Sequence, residues 1–376
     1  MKNIIVKSSL ALVAVTGSGM LAGFSCVPAA SAATTYTFTG ISDTLGGSSS
    51  YATAINDAGT IVGYARNTPN SDRAYSYSGG TMTNLGTLGG TGSYFATGVN
   101  SSGEVVGSSG TGAFIYTTAG GMVNLGTLGG TGSYEVTGVN SSGEVVGWAL
   151  GGINSAFSYT TAGGMVDLGT LPGSSMSFAK GINNSGEVVG GVGTNTVGGL
   201  NAAFSYTAAG GMVNLGTLPG SSGSFANGIN NSGEVVGYVV TTYTAGGLTE
   251  AFSYTTAGGM VGLGTLGGTS SLASGINDFG VIVGSSTNAA GISNAFIYTG
   301  GAMTDLNSLI TNLPTGFSLT GVSAINNLGD IVGTGFNAQG QPEAFLLTPT
   351  TATPEPTTLA VLGIGGLGLL LRRRVA

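Results

Sequence analysis

Histidine does not occur anywhere in the 376 residues. That absence excludes Ser-His-Asp and Cys-His catalysis, histidine-ligated zinc and imidazole proton shuttles. The only cysteine, Cys26, lies in the N-terminal leader. The body therefore has no disulfides to hold it together, and without Cys or His only hard, oxygen-ligated cations fit its chemistry. Charge is scarce as well, at 6% of residues. Between Ala33 and Thr353 the only basic residues are Arg66, Arg73 and Lys180, against fourteen acids. No cationic cluster exists to displace counterions from phosphates, so nucleic acid is excluded as a partner. Glycine is abundant, at 73 residues, but shows no three-residue period, which rules out collagen.

What is present begins with an export signal over residues 1–32. Lys2 and Lys7 precede an apolar stretch, and Ala30-Ser31-Ala32 offers small residues to a signal peptidase. A lipoprotein reading of Cys26 is disfavoured by Phe24-Ser25 before it.

The body, residues 33–348, is one motif repeated seven times. Each copy carries Asn, two loose positions, Gly, then apolar-Val-Gly, with the asparagines at Asn56, Asn100, Asn140, Asn183, Asn230, Asn277 and Asn326, spaced 40 to 49 apart. An Ala-aromatic-x-Tyr segment follows each copy, as in Ala113-Phe114-Ile115-Tyr116, with Leu347 in place of Tyr in the last, and its aromatics at i and i+2 fit one face of a strand packed as core. Next comes Gly-Gly-Met and Asn or Asp before Leu, as in Gly121-Met122-Val123-Asn124-Leu125. Asn-x-x-Gly and Gly-Gly both read as hairpin turns, because Asn bonds its own backbone and Gly adopts positive φ freely. Each repeat thus holds four short strands, here a to d. Strand a is rich in small residues (Ala96, Thr97, Gly98), which suits a crowded innermost place.

Four strands in 40-odd residues is the period of a β-propeller blade. The array is also offset: Tyr36–Leu45 resembles a strand d without its repeat, and the last copy stops after strand c at Ala344–Leu347. Seven complete blades result if the N-terminal strand joins the last copy, which removes the sheet edges an open array exposes. The expected fold is therefore an all-β, seven-bladed β-propeller closed by its N-terminal strand. A β-solenoid is the alternative.

These motifs resemble the HAF-repeat family of extracellular bacterial proteins, through Leu-Gly-Thr-Leu-Gly-Gly and Ile-Asn-x-x-Gly-x-Val-Val-Gly. The resemblance implies a secreted or surface protein with no defined reaction. The family's naming histidine is replaced by Gly112, Ser155, Ala202, Glu250, Asn294 and Glu343, so no role of that residue transfers.

A Thr/Pro linker (349–353) leads to Pro354-Glu355-Pro356, an apolar run Leu359–Leu371 and Arg372-Arg373-Arg374. This tail (354–376) resembles a PEP-CTERM sorting signal, which implies an exosortase-type membrane enzyme as partner. The arginines would stay on the cytoplasmic side and leave the body outside. Thirteen apolar residues fall short of a full span of about 20, so the segment fits a temporary anchor better than a plain permanent one. Gly363-Ile364-Gly365-Gly366-Leu367-Gly368 matches the dinucleotide fingerprint only by spelling, since no βαβ unit can follow it.

Catalysis would have to rely on carboxylates. Glu104, Glu144, Glu187 and Glu234 share one repeat position and would stand apart around a ring. Calcium at the Asn183–Glu187 and Asn230–Glu234 turns is a lesser option, because the EF-hand pattern is incomplete. The b–c connections vary most between copies, and such insertions gather on one binding face. Trp148, Tyr64, Tyr238, Tyr243, Arg66 and Phe336, with Asp72 and Arg73, are placed there, and aromatics beside polar groups suit sugar rings. The sequence thus points to a non-enzymatic surface or matrix protein that binds exopolysaccharide. A secreted carboxylate-only hydrolase or lyase is the alternative.

Overall fold

Strand a needs small side chains where seven copies meet at one axis, and the inner strands carry Ala and Gly there, as at Ala96 and Gly98 of the strand Tyr94–Val99. In this computed structural model the described residues are 34–350, apart from 67–70, 91, 111, 129–132, 152–153, 195–200 and 242–247. They form seven four-stranded antiparallel sheets. β1 (Thr35–Ile41) comes first and belongs to the last blade. Blade I holds β2 (Ser49–Ile55), β3 (Ile61–Arg66), β4 (Asp72–Ser78) and β5 (Thr81–Asn84). Blade II holds β6 (Tyr94–Val99), β7 (Val105–Ser109), β8 (Gly112–Thr117) and β9 (Gly121–Asn124). In blade III these are β10 (Tyr134–Val139), β11 (Val145–Ala149), β12 (Ala156–Thr160) and β13 (Gly164–Gly169). Blade IV follows with β14 (Met176–Ile182), β15 (Val188–Gly193), β16 (Ala202–Thr207) and β17 (Gly211–Asn214). Blade V has β18 (Gly223–Ile229), β19 (Val235–Val240), β20 (Thr249–Thr255) and β21 (Gly259–Gly264). Blade VI has β22 (Gly267–Ile276), β23 (Ile282–Asn288), β24 (Ser293–Thr299) and β25 (Ala302–Asp305). Blade VII combines β26 (Val322–Ile325), β27 (Ile331–Phe336) and β28 (Pro342–Thr350) with β1. A 3₁₀ turn, Leu306–Leu309, is the one helical segment among the described residues.

The ring closes through β1 and β28. Their ladder runs from Thr35↔Thr350 to Ile41↔Ala344, with Phe38 opposite Leu347. The inner strands β2, β6, β10, β14, β18, β22 and β26 touch one another in a closed cycle. A seven-bladed β-propeller is the result, and a linear solenoid is excluded.

The core lies between blades. One cluster joins Val106 and Ala113 of blade II to Val136, Val145 and Phe157 of blade III. At the seam, Ile41, Val332 and Ala344 of blade VII pack in the same way on Ala52, Ile61 and Tyr75 of blade I. The strand-c aromatics divide: Phe114 is fully buried, while Tyr116 two residues on is only half-buried.

The Asn-x-x-Gly turn does two jobs. Within its blade, Asn100 Oδ1 accepts the N–H groups of Ser102 (3.1 Å) and Glu104 (2.9 Å), and Gly103 takes φ +84° to close the turn. Towards the next blade, its Nδ2 donates to the Asn140 carbonyl at 3.2 Å. That second bond recurs from Asn56 to Asn100, Asn140 to Asn183, Asn183 to Asn230, Asn230 to Asn277, Asn277 to Asn326 and Asn326 back to Asn56. The seven buried asparagines form an unbroken ring around the axis. A further tier comes from β-bulges in the inner strands, where Thr53, Thr137, Asn227 and Ser323 donate to the backbone of the neighbouring blade.

Candidate ligand site on the b–c face

Most sequence-selected residues lie on strand ends rather than in free loops. Tyr64 and Arg66 end β3, Trp148 lies in β11, Tyr238 in β19, and Phe336 ends β27. Tyr243 falls outside the described residues.

Two of these residues are brought together. Tyr64 stacks on Tyr51 at 4.5 Å and meets Phe95 of blade II edge-on at 4.9 Å. The Arg66 guanidinium lies 5.4 Å from the Tyr51 ring centre and is fixed by Asp72, with Nε 2.8 Å from Oδ1. Asp72, expected on the open face, is 4% exposed and also accepts a bond from Ser93 Oγ at 3.1 Å. Burial, followed by the neighbouring Tyr51, raises the pKa of the Tyr64 hydroxyl, while the hydrogen bond to Asp72 raises that of Arg66. Arg73 Nη1 donates to the Leu45 carbonyl at 3.2 Å.

Trp148 and Tyr238 stand in separate blades. Trp148 meets Phe178 of blade IV edge-on at 5.2 Å, and Tyr238 stacks on Phe225 at 5.4 Å. Gly191 leaves room for that packing, because a Cβ there would fall 2.5 Å from the Phe225 ring. These aromatics are half-buried and held against neighbouring rings. Phe336 differs: it is 44% exposed.

A polar cavity of about 230 Å³ opens at the seam between blades VII and I. Sequence reasoning missed it, because its two walls lie near opposite ends of the chain. Ser42, Asp43, Gly47, Ser48 and Ser50 come from the segment joining β1 to β2 and the start of β2. Asn337 and Gln341 come from the β27–β28 connection, and Pro342 and Glu343 from the start of β28. Glu343 bridges the walls, accepting from Ser42 Oγ at 2.8 Å and from Asn337 Nδ2 at 3.3 Å. Asp43 Oδ1 accepts the Leu45 N–H at 2.6 Å, whereas its Oδ2 is buried with no hydrogen-bond partner. Such an orphaned buried acceptor is uncommon in folded proteins. In the ladders next to it, Phe336 pairs with the lining residue Pro342, and Arg66 pairs with Ser49, which stands between the lining residues Ser48 and Ser50.

The repeated glutamates are spent on structure. Glu187 and Glu234 accept from Ser205 and Ser253 at 2.5 Å, and Glu144 lies against the turn glycine Gly186 of the next blade. In the candidate calcium turn at Asn183, Oδ1 already accepts from Ser185 N, Ser185 Oγ and Glu187 N. A cation would have to displace all three. Among the described residues no three acidic, His or Cys side chains group closely enough to hold a metal.

Residues 352–374 match the PEP-CTERM protein-sorting motif. The chain carries a PEP-CTERM sorting signal. The PEP-CTERM signal implies export, and its Pro354, Glu355, Pro356 and Arg372–Arg374 lie outside the described residues. Among the described residues no helix is long and apolar enough to cross a membrane, and Leu359–Leu371 is not one of those residues. The fold is similar to the β-propeller domain of the Trilobed protease from Pyrococcus furiosus, with a TM-score of 0.50 and 11% identity over 81% of this chain and 95% of that one. At that identity the likeness concerns the fold alone. The protease domain is described as having an open velcro topology, whereas β1 and β28 zip together here. No curated protein matches the chain.

Proposed function

We propose that this PEP-CTERM protein is an exported, non-enzymatic surface or matrix component that binds exopolysaccharide at the seam cavity. The observation that carries the reading is the cavity itself. It combines hydroxyl, carboxamide and carboxylate groups, and the exposed aromatic Phe336 adjoins two of its lining residues, as chain neighbour of Asn337 and ladder partner of Pro342. Sugars present hydroxyl donors to such acceptors and an apolar ring face to such an aromatic. The Tyr51–Tyr64–Arg66 group extends the surface beyond the opposite rim, as a polymer longer than one sugar requires. The resemblance of the repeats to HAF proteins belongs to the same proposal.

The carboxylate-only hydrolase has one observation in its favour: Asp43 and Glu343 line one cavity. Against it, both Glu343 oxygens already accept bonds from the fold. A polysaccharide array probed with the propeller, followed by assay for released reducing ends, separates the two. Retention without new ends supports binding, and new ends support the hydrolase. The absence of both leaves only a mechanical scaffold. Trp148→Ala, run alongside, is expected to bind like the parent, because its ring is held against Phe178.

A further inference from the structure

The face opposite the seam cavity carries two features that the glycan reading does not use. The first is the place where the propeller joins its tail. Ile331, the first residue of β27 after the Asn326 turn, pairs with Leu347, so β28 leaves the sheet on the a–b turn face. Pro349 packs against that turn, 3.4 Å from where a Cβ on Gly329 would stand, and Thr350 pairs with Thr35 at the same end. Leu359, the first residue of the apolar run, follows Thr350 by only nine positions, a reach of about 30 Å at full extension. A bilayer holding that run therefore has the a–b face within that distance.

The second feature is an apolar pair on the same face. The third residue of the Asn-x-x-Gly turn is Ser102, Ser142, Ser185 and Ser232 in blades II to V and Ala58 in blade I. In blades VI and VII it is Phe279 and Leu328, which are 76% and 64% exposed, more than any other large hydrophobic among the described residues. Asp278 and Asn327, their chain neighbours, touch across the blade boundary, with Asn327 Nδ2 2.9 Å from Asp278 Oδ2. The two apolar side chains thus project from adjacent turns, one of them on the blade from which the tail departs. Repeat drift alone gives no reason for the large apolar residues to fall on these two blades.

We propose that the a–b face seats on a lipid surface while the tail is attached, with Phe279 and Leu328 as the contacting side chains. This rests on the reading of Leu359–Leu371 as the bilayer segment. Tethering makes the contact intramolecular, so two side chains are enough to bias the orientation. The face is acidic, with Asp57 and Asp278 beside the pair and no lysine or arginine in the seven turns. Its lipid is therefore zwitterionic rather than anionic. The seam cavity, at the far end of the same strands, then points away from the bilayer.

The test uses the full chain in phosphatidylcholine vesicles with brominated acyl chains. Trp148, the only tryptophan, reports the b–c half of the molecule, and F279W in a W148F background reports the turn face. Position 279 is exposed, so the substitution does not threaten the fold. The proposal expects the indole introduced by F279W to shift to the blue and lose emission to the bromines, while Trp148 in the parent keeps its emission. Replacing phosphatidylcholine with phosphatidylglycerol should weaken the quenching at low salt. Vesicle flotation with equal emission at both positions overturns the lipid contact and leaves the tail reading intact. Failure to float overturns the tail reading and the contact together, and neither result touches the glycan proposal.

Discussion

Asn326 Nδ2 donates to the carbonyl oxygen of Asn56 at 3.1 Å, joining residues 270 positions apart and completing the axial ring. Its Oδ1 accepts from the N–H groups of Leu328 and Asp330 at 3.0 and 2.8 Å. One buried side chain therefore shapes its own turn and fastens blade VII to blade I. Asn326→Ala leaves buried groups unpaired on both sides and should cost about 2–4 kcal/mol. Urea midpoints at constant m-value measure it, with the exposed Val213→Ala as a control expected to stay near the parent.

Ring closure can be locked covalently. Thr37 and Thr348 are opposed in the β1–β28 ladder and both are exposed. The chain beyond the leader has no cysteine of its own. T37C/T348C should form an intramolecular disulfide and stabilise the fold by up to about 5 kcal/mol, as expected for so long a loop. Thermal unfolding with and without reductant reads the difference.

The last glycine of each Val-Val-Gly has a steric cause. A Cβ on Gly147 would lie 2.0 Å from the Glu135 carbonyl oxygen and 2.9 Å from the Phe157 ring. Gly147→Ala must push the inner strand or the core ring aside, at a cost of about 2–4 kcal/mol. The same change at exposed Gly92, where nothing stands within 4 Å, should be close to neutral. Chemical denaturation compares the two.

Asp278 predicts an acid-side loss of stability. Burial disfavours its charge, but the Asn231 backbone N–H and the side-chain amides of Asn231 and Asn327 outweigh that and hold its pKa below the ordinary value. A depressed folded-state pKa gives stability that is present above the unfolded-state pKa of about 4 and lost as pH falls through the folded value. Unfolding midpoints between pH 6 and pH 2 should fall less steeply in Asp278→Asn than in the parent.

Much of the fold was legible because the repeats repeat. The seven Asn-x-x-Gly turns, the strand count and the orphan strand Tyr36–Leu45 were enough to infer a closed ring, and β1 pairs where that offset requires. The asparagine ring was only half legible. The turn-forming bonds are local, but the reach of Nδ2 to the next blade depends on how tightly the inner strands converge. The aromatic set was recognisable by composition, while the packing of Trp148 on Phe178 and of Tyr64 on Phe95 lies across blade boundaries that residue type does not encode. The seam cavity was not legible at all. Ser42 and Glu343 stand 301 positions apart in the chain, and only the zipping of β1 onto β28 brings their two segments together.

Hydroxyl-radical footprinting of the propeller, with and without the exopolysaccharide of its own cells, tests the functional account most directly. Phe336 and Pro342 should be protected when polymer is bound, while Phe279 and Leu328 on the opposite face stay as reactive as before. Unchanged labelling at Phe336 with polymer bound, or protection confined to Phe279 and Leu328, would contradict it.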